Sequence, residues 1–347
     1  MSNLLTISEY PLEFLQHVLD LSAYLEKRRN VKPLDGSTIL FCFEKPSLRT
    51  KLATEVAVNQ LGGSVIHISP EEFLGGKILH ATEDAPGIPE EREALKDTVK
   101  NVAQWCDGIF ARVFKHETLE KLATFSDIPV VNGLCDRHHP MQALADLYTI
   151  HESFRSDKPL RITFIGDANN VAFSLIEIGL IFGHHMQFAG PMPCYWNREQ
   201  LAHFAQLAAR HGGTFSHGTD PLPFVKQSDV VYTDAFISMG QEHEYTQKLR
   251  HFEGYQVNEA LFGKAPDHAR FMHCLPAHRG LEVTDAVIDH PNSLVYQQAK
   301  NRMVTAKGVF AILCNPEYRL ENPVPATEQH PSSSSSSSFK TTQLIES

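Results

Sequence analysis

Along this chain the hydrophobic positions alternate between helical and strand periods. Leu12, Leu15, Val18, Leu19 and Leu25 fall on one helical face, with Ser8 placed to cap the helix and Pro11 tolerated in its opening turn. The apolar run Thr38–Phe43 predicts a strand, and residues 51–61 predict a helix closed by Gly62 and Gly63, suited to a left-handed cap. Residues 75–91, rich in Gly, Pro and acidic side chains, read as a long loop. Next come a helix over about 93–106, a strand over 108–113 and a helix near 119–125. A strand at 129–131, a polar turn over 132–139 and a long helix over 141–154 complete this half. Residues 155–159 break the pattern. It resumes with a strand over 160–165, a turn at 166–170, a helix to Phe182, a strand over 186–189 and a helix over 198–211. Strands at 229–233 and 269–273 and an amphipathic helix near 299–313 follow.

Strands alternating with helices throughout predict an α/β protein of two parallel-sheet domains, facing across a cleft and linked by long helices. The first would span residues 1–153, joined by the C-terminal helix at about 299–316, and the second residues 154–298. The tail, 322–347, carries a serine run over 332–338 that cannot build a core and reads as disordered. The full length of 347 residues suits two such cores.

Composition narrows the function. A formal charge of −10 argues against a general nucleic-acid binder while leaving room for one local basic pocket. No apolar run approaches the roughly 18 residues of a membrane span, and the opening residues lack the basic and apolar regions of a signal peptide. The six cysteines are scattered without a C-x-x-C pair, which fits reduced cytoplasmic thiols better than a disulfide framework or a zinc knuckle. Among 19 histidines, the adjacent pairs His138-His139 and His184-His185 are poorly spaced to share a metal, so no metal site is expected.

The unusual polar clusters all fall after predicted strands, where open α/β sheets hold their ligands. They are Ser47 to Thr50, Arg112, residues 132–142, 167–170, 234–240 and 273–276. Ser47, Arg49 and Thr50 stand where a strand feeds a helix, so free N–H groups, hydroxyls and a forked cation would together seat a phosphate. Taken alone, the same residues serve equally as an ordinary Ser N-cap beside a solvated Arg. The G-x-G-x-x-G dinucleotide fingerprint is absent; Gly166-Asp167-Ala168-Asn169-Asn170 occupies its place without the glycine spacing.

Ser47-Leu48-Arg49-Thr50, His139-Pro140-Met141-Gln142 and His273-Cys274-Leu275-Pro276 resemble the successive signatures of the carbamoyltransferase family. Asp234-Ala235-Phe236-Ile237-Ser238-Met239-Gly240 is similar to the Asp-x-x-x-Ser-Met-Gly element of its ornithine-specific branch. The match runs in order from about Ser8 to Cys314. It implies transfer of a carbamoyl group from carbamoyl phosphate to the side-chain amine of L-ornithine, giving citrulline and phosphate in arginine metabolism, without a cofactor. It further implies that Ser47, Leu48 (through its backbone), Arg49 and Thr50 hold the phosphate. Arg112, His139 and Gln142 would engage the carbamoyl end, and Arg302 would add a contact. Asn170, Asp234, Ser238 and Met239 would hold ornithine, with Cys274 and Leu275 near the reacting amine. Arg112, His139 and Cys274 are the expected catalytic residues, Cys274 by positioning or proton acceptance. A cytoplasmic homotrimer, or a multiple of trimers, is the implied assembly.

Two features depart from the family pattern. Leu48 stands where many relatives have Thr, which removes a hydroxyl but leaves the N–H, and the 75–91 loop is longer than expected. The glutamine that relatives often contribute from that region, across a subunit boundary, has no assigned counterpart. A carbamoyltransferase acting on putrescine or an acylated ornithine, and a catalytically silent ligand-binding homologue, are the alternatives to be separated by assay.

Overall fold

A computed structural model of the chain describes residues 3–75, 93–156, 158–237 and 249–319. The first half builds α1 (Leu12–Lys27), β1 (Thr38–Phe43), α2 (Leu48–Gln60), β2 (Ser64–Ile68), α3 (Pro70–Phe73), α4 (Leu95–Val102), β3 (Gly108–Arg112), α5 (His116–Phe125), β4 (Val130–Leu134) and α6 (Pro140–Phe154). The second builds β5 (Arg161–Ile165), α7 (Asn170–Ile181), β6 (His185–Ala189), α8 (Arg198–His211), β7 (Thr214–Gly218), α9 (Leu222–Val225), β8 (Val230–Thr233), α10 (Glu259–Phe262), β9 (Arg270–His273), α11 (Asp285–Ile288) and α12 (Val295–Cys314).

Two domains result, each with a wholly parallel sheet, in the orders β2-β1-β3-β4 and β7-β6-β5-β8-β9. Each order reverses once, between β1 and β3 in the first sheet and between β5 and β8 in the second. At such a reversal the loops leave in opposite directions and open a crevice at the carboxyl ends of the strands. The helix α12 packs against α1, α2 and α6, returning the end of the chain to the first domain. Gly308 permits the approach to α1, because a Cβ there would meet Ser22 Oγ at 2.3 Å and the Val18 carbonyl at 2.5 Å.

Several boundaries differ from the sequence-based expectation. Pro11, not Ser8, is the N-cap of α1, and no side chain caps that helix. The strands β2 and β7 were not predicted; both are sheet edges with mostly exposed positions, so their sequences lack the apolar runs of the central strands. Asn132, expected in a polar turn, lies within β4, fully buried, where its amide donates to the Leu5 carbonyl at 2.8 Å. That contact belongs to an N-terminal segment in which Leu4 pairs in parallel with Val131 and covers the β4 edge. Helix α12 starts at Val295, a turn before the expected start near residue 299. Ser238, Met239 and Gly240, residues 76–91 of the long loop and the 322–347 tail lie outside the described residues.

Candidate active site

The two crevices face each other across a cleft of about 1080 Å³, roomy enough for two small substrates. On the first-domain side, β1 delivers the chain into α2, with Ser47 as N-cap in extended conformation, accepting from the Thr50 N–H at 3.4 Å. The capping reading and the anion-seat reading therefore share one geometry, since the positive end of α2 and the partly exposed Arg49 open on the cleft. Leu48 lines the cleft too but is 70 % exposed, its side chain outside any core.

Thr50 is buried, and its hydroxyl accepts from Arg112 at the end of β3 (3.2 Å) and from Arg302 in α12 (2.8 Å). Burial and the neighbouring Arg302 depress Arg112 to about 10. Burial also lowers Arg302, with Arg49 pushing the same way. His139 ends the β4–α6 connection as N-cap of α6, its backbone N–H donating to Ser174 Oγ of the second domain at 2.9 Å. Burial, followed by Arg302 and Arg112, holds its imidazole well below the usual range, so it is neutral at pH 7. Gln142, one turn on, donates through Nε2 to Asp146 Oδ1 at 2.7 Å. Arg112 Nε, His139 Nδ1 and Gln142 Oε1 are buried without a hydrogen-bond partner among the described residues, and all three residues line the cleft.

The second domain contributes from the ends of β5, β8 and β9. Asn169 caps α7, accepting from Val171 and Ala172 N–H groups, and donates through Nδ2 to Asp234 Oδ2 at 2.8 Å. Asn170 reaches the other way, donating to the Cys135 carbonyl of the first domain at 2.6 Å. Cys274 donates its thiol to Asp234 Oδ1 at 3.0 Å. Burial and the Asp234 carboxylate push that thiol well above its ordinary range, so Cys274 is a neutral thiol. This argues against a thiolate nucleophile, and a bound S–H cannot take a proton while it keeps its own. Of the two roles expected for Cys274, the geometry favours positioning.

Leu275 adopts a left-handed φ of 58°, uncommon for a branched aliphatic residue, and its N–H donates to His273 Nδ1 at 2.9 Å. His273 must then carry its proton on Nε2, which donates to buried Glu282 at 3.2 Å. Asp234, His273 and Cys274 each place a donor atom within 4.8 Å of the others, but the thiol is committed to Asp234 and both imidazole nitrogens are engaged.

The structure thus brings together Ser47, Leu48, Arg49, Thr50, Arg112, His139, Gln142, Asn170, Asp234, Cys274, Leu275 and Arg302. Sequence reasoning missed Asn169, Asp146, Gln298 and Tyr232. A signal existed for Asp146, which stands four residues after Gln142 on a predicted helix and so shares its face.

A two-domain α/β fold whose facing crevices join an arginine-rich anion seat to a carboxylate and amide pocket is the architecture of a group-transfer enzyme acting on an anionic donor and an amine. The chain belongs to the aspartate/ornithine carbamoyltransferase family: the carbamoyl-P binding domain matches residues 2–152 and the Asp/Orn binding domain residues 158–313. It is 41% identical over 321 residues to the ornithine carbamoyltransferase of Pyrobaculum calidifontis, covering 91% of this chain and 99% of that one. It is 39% identical over 313 residues to that of Anoxybacillus flavithermus, covering 89% and 95%. Among solved structures, ornithine carbamoyltransferase from Pyrococcus furiosus superposes with a TM-score of 0.81 at 36% identity, covering 90% of this chain and 97% of that one.

Proposed function

We propose that the cleft transfers the carbamoyl group of carbamoyl phosphate to the side-chain amine of L-ornithine, producing citrulline and phosphate. The observation that carries this reading is the set of unpartnered buried atoms, Arg112 Nε, His139 Nδ1 and Gln142 Oε1, beside an anion seat and opposite Asp234. Residues 1–153 with α12 form the carbamoyl-phosphate domain in this reading, and residues 154–298 the ornithine domain.

The phosphate sits on the N–H groups of Ser47 to Thr50 with Arg49 and Arg302 as counter-charges. The Thr50 hydroxyl, Arg112 and neutral His139 surround the carbonyl oxygen, and Gln142 Oε1 with the Leu275 backbone takes the carbamoyl amide. Ornithine enters from the second domain, its α-ammonium on Asp234 and its α-carboxylate on Asn170, with Ser238 and Met239 completing the grip. Its uncharged side-chain amine attacks the carbonyl carbon, and the oxyanion that forms is stabilised by Arg112 and His139. The C–O bond to phosphate then breaks, its electron pair leaves with phosphate, and the proton shed by nitrogen balances the leaving group. Cys274 keeps Asp234 and the incoming amine in register.

The expected homotrimer has support in an apolar stripe. Leu48, Leu52 and Val56 recur at helical spacing on α2 and are 70 %, 51 % and 39 % exposed, with Ile66 of neighbouring β2 at 52 %. Such a face is suited to cover by a second copy of the chain, and it begins at the anion seat itself. The expected cytoplasmic location is supported by the six cysteines, no two of which are joined in a disulfide among the described residues.

A carbamoyl-transfer assay over ornithine, putrescine, N-acetylornithine and aspartate tests the reading. Citrulline formation with ornithine at the highest kcat/KM is the expected result. Preference for another amine, or no turnover with any, overturns it.

A further inference from the structure

The fold contains a buried chain of hydrogen bonds whose polarity is set at one end by the backbone. The His273 N–H can only donate, and it donates to Gln298 Oε1 at 3.0 Å. The Gln298 amide is thereby oriented, so its Nε2 faces inward and donates to Asp146 Oδ1 at 2.7 Å and to the Tyr232 hydroxyl at 2.9 Å. Tyr232 in turn donates to Asp146 Oδ2 at 3.0 Å. Asp146 is fully buried and receives these donors from α12 and β8, with Gln142 Nε2 as the remaining one at 2.7 Å. Oδ1 receives both amide nitrogens, Gln142 Nε2 and Gln298 Nε2, and so serves as an acceptor whether or not Oδ2, beside the Tyr232 hydroxyl, carries a proton. An amide facing it must present nitrogen, which leaves the Gln142 oxygen on the opposite side, at the cleft wall and without a partner in the fold.

We propose that Asp146 is the positioning residue that fixes the Gln142 amide, so that Gln142 Oε1 faces the cleft and accepts from the carbamoyl NH2 group. This rests on the reading of Gln142 as a carbamoyl contact. Without Asp146 the amide is free to rotate and present its NH2, a donor facing a donor, to the same substrate group. The chain also runs from His273 at the end of β9 in the second domain to the carbamoyl reader in the first. The group that sets substrate polarity in one domain is therefore anchored on the backbone of the other.

A double-mutant cycle in the full-length enzyme tests this. Asp146→Ala should raise KM for carbamoyl phosphate about 10-fold or more with little change in KM for ornithine. In a Gln142→Ala background the same substitution should add nothing. Asp146→Asn, which can still turn an acceptor oxygen toward Gln142 and Gln298, should stay within about 3-fold of wild type. If Asp146→Ala fails to fold, Asp146→Leu, which fills the space without an acceptor, is scored in the same cycle. Additive effects of the two single substitutions overturn the proposal, as does an unchanged KM in a folded Asp146 variant alongside a raised one in Gln142→Ala. If Gln142→Ala itself leaves KM unchanged, the carbamoyl-contact reading of Gln142 fails, and the inference resting on it falls with it.

Discussion

Arg112 and Arg302, from different elements of the chain, point their guanidinium groups at the same hydroxyl, Thr50 Oγ1, at 3.2 and 2.8 Å. Both are buried, and each like charge is held close to the other without a carboxylate in hydrogen-bond contact among the described residues. Such a pair is unfavourable in an apolar setting and becomes favourable when an anion joins it. Inorganic phosphate or carbamoyl phosphate should therefore raise the melting temperature, by an amount growing with ligand concentration. Arg302→Gln should leave the ligand-free protein as stable as wild type or more so, because it removes a buried repulsion, and should abolish most of the phosphate-induced shift. Differential scanning fluorimetry over a phosphate series reads both effects. A variant that melts lower without phosphate yet keeps the full shift would contradict this account of the pair.

Arg49 is the cation at the mouth of the same seat, partly exposed at the start of α2. Its contribution to the empty protein is small, since exposed charges are well solvated. With an anion on the helix N-terminus, a forked charge-assisted contact contributes roughly 1.5–3 kcal/mol. Arg49→Ala should thus weaken carbamoyl-phosphate binding by about 10- to 150-fold while leaving the melting temperature of the free protein unchanged. Calorimetric titration measures it, and equal affinity in a folded variant would remove Arg49 from the seat.

The sequence carried the site further than its surroundings. Strand ends could be located from apolar runs, and turns rich in Ser, Arg, His, Asn and Asp after those runs mark where an α/β sheet holds ligand. Arg112, Asp234 and Cys274 were legible for that reason. Arg302 was not legible on position alone, because a helix arginine is ordinarily exposed; only the family pattern singled it out, and the structure buries it. Gln298 and Tyr232 meet Asp146 through packing between elements far apart in the chain, which no local period encodes. The neighbours Asn169 and Asn170 show the limit of local reading. The family pattern singled out Asn170, which lines the cleft and bonds across it to Cys135, but nothing local marked Asn169 as the residue that holds Asp234.

His184 provides a test of acid stability away from the cleft. It is buried, its Nδ1 accepts from the Leu160 N–H at 3.2 Å, and burial, with His151 and His185 adding to it, lowers it from 6.5 to about 3. Between those values the unfolded chain binds a proton that the folded protein excludes, so this contribution is present above pH 6.5 and is lost as pH falls. The loss at pH 5 is about 2 kcal/mol for one such group. His138, lowered to about 4, acts in the same direction. Asp146, raised by burial to about 7, acts oppositely, its folded form keeping a proton that the unfolded chain releases above about 3.8. Comparing wild type with His184→Asn cancels these shared terms, and the amide oxygen can still accept from Leu160. The variant should lose less stability than wild type between pH 6.5 and 5 in denaturant titrations. Parallel pH curves for the two proteins would show that His184 titrates alike in both states.

Asp234 stands where the second sheet reverses, held by Asn169 at one oxygen and by Cys274 and the Ala235 N–H at the other. Three donors fix the orientation of this partly buried carboxylate at the cleft, which suits it to pair with the α-ammonium of an amino acid. Putrescine has no charged group at that point, so the contact is one that ornithine alone can make. Asp234→Ala should therefore lower kcat/KM for ornithine by roughly 100-fold or more, from the loss of a buried charge-assisted contact. Carbamoyl-phosphate affinity should change far less, because its seat lies across the cleft on α2, β3 and α12. The ratio of kcat/KM for ornithine over putrescine should fall toward one. Asn169→Ala should act in the same direction but more weakly, since it loosens Asp234 without removing it, and should also lower stability by about 0.5–2 kcal/mol through the lost α7 cap. Steady-state kinetics with both amines, set beside the melting curve of each variant, separates the two effects. A wild-type ornithine-to-putrescine ratio in Asp234→Ala would mean that the α-ammonium is read elsewhere.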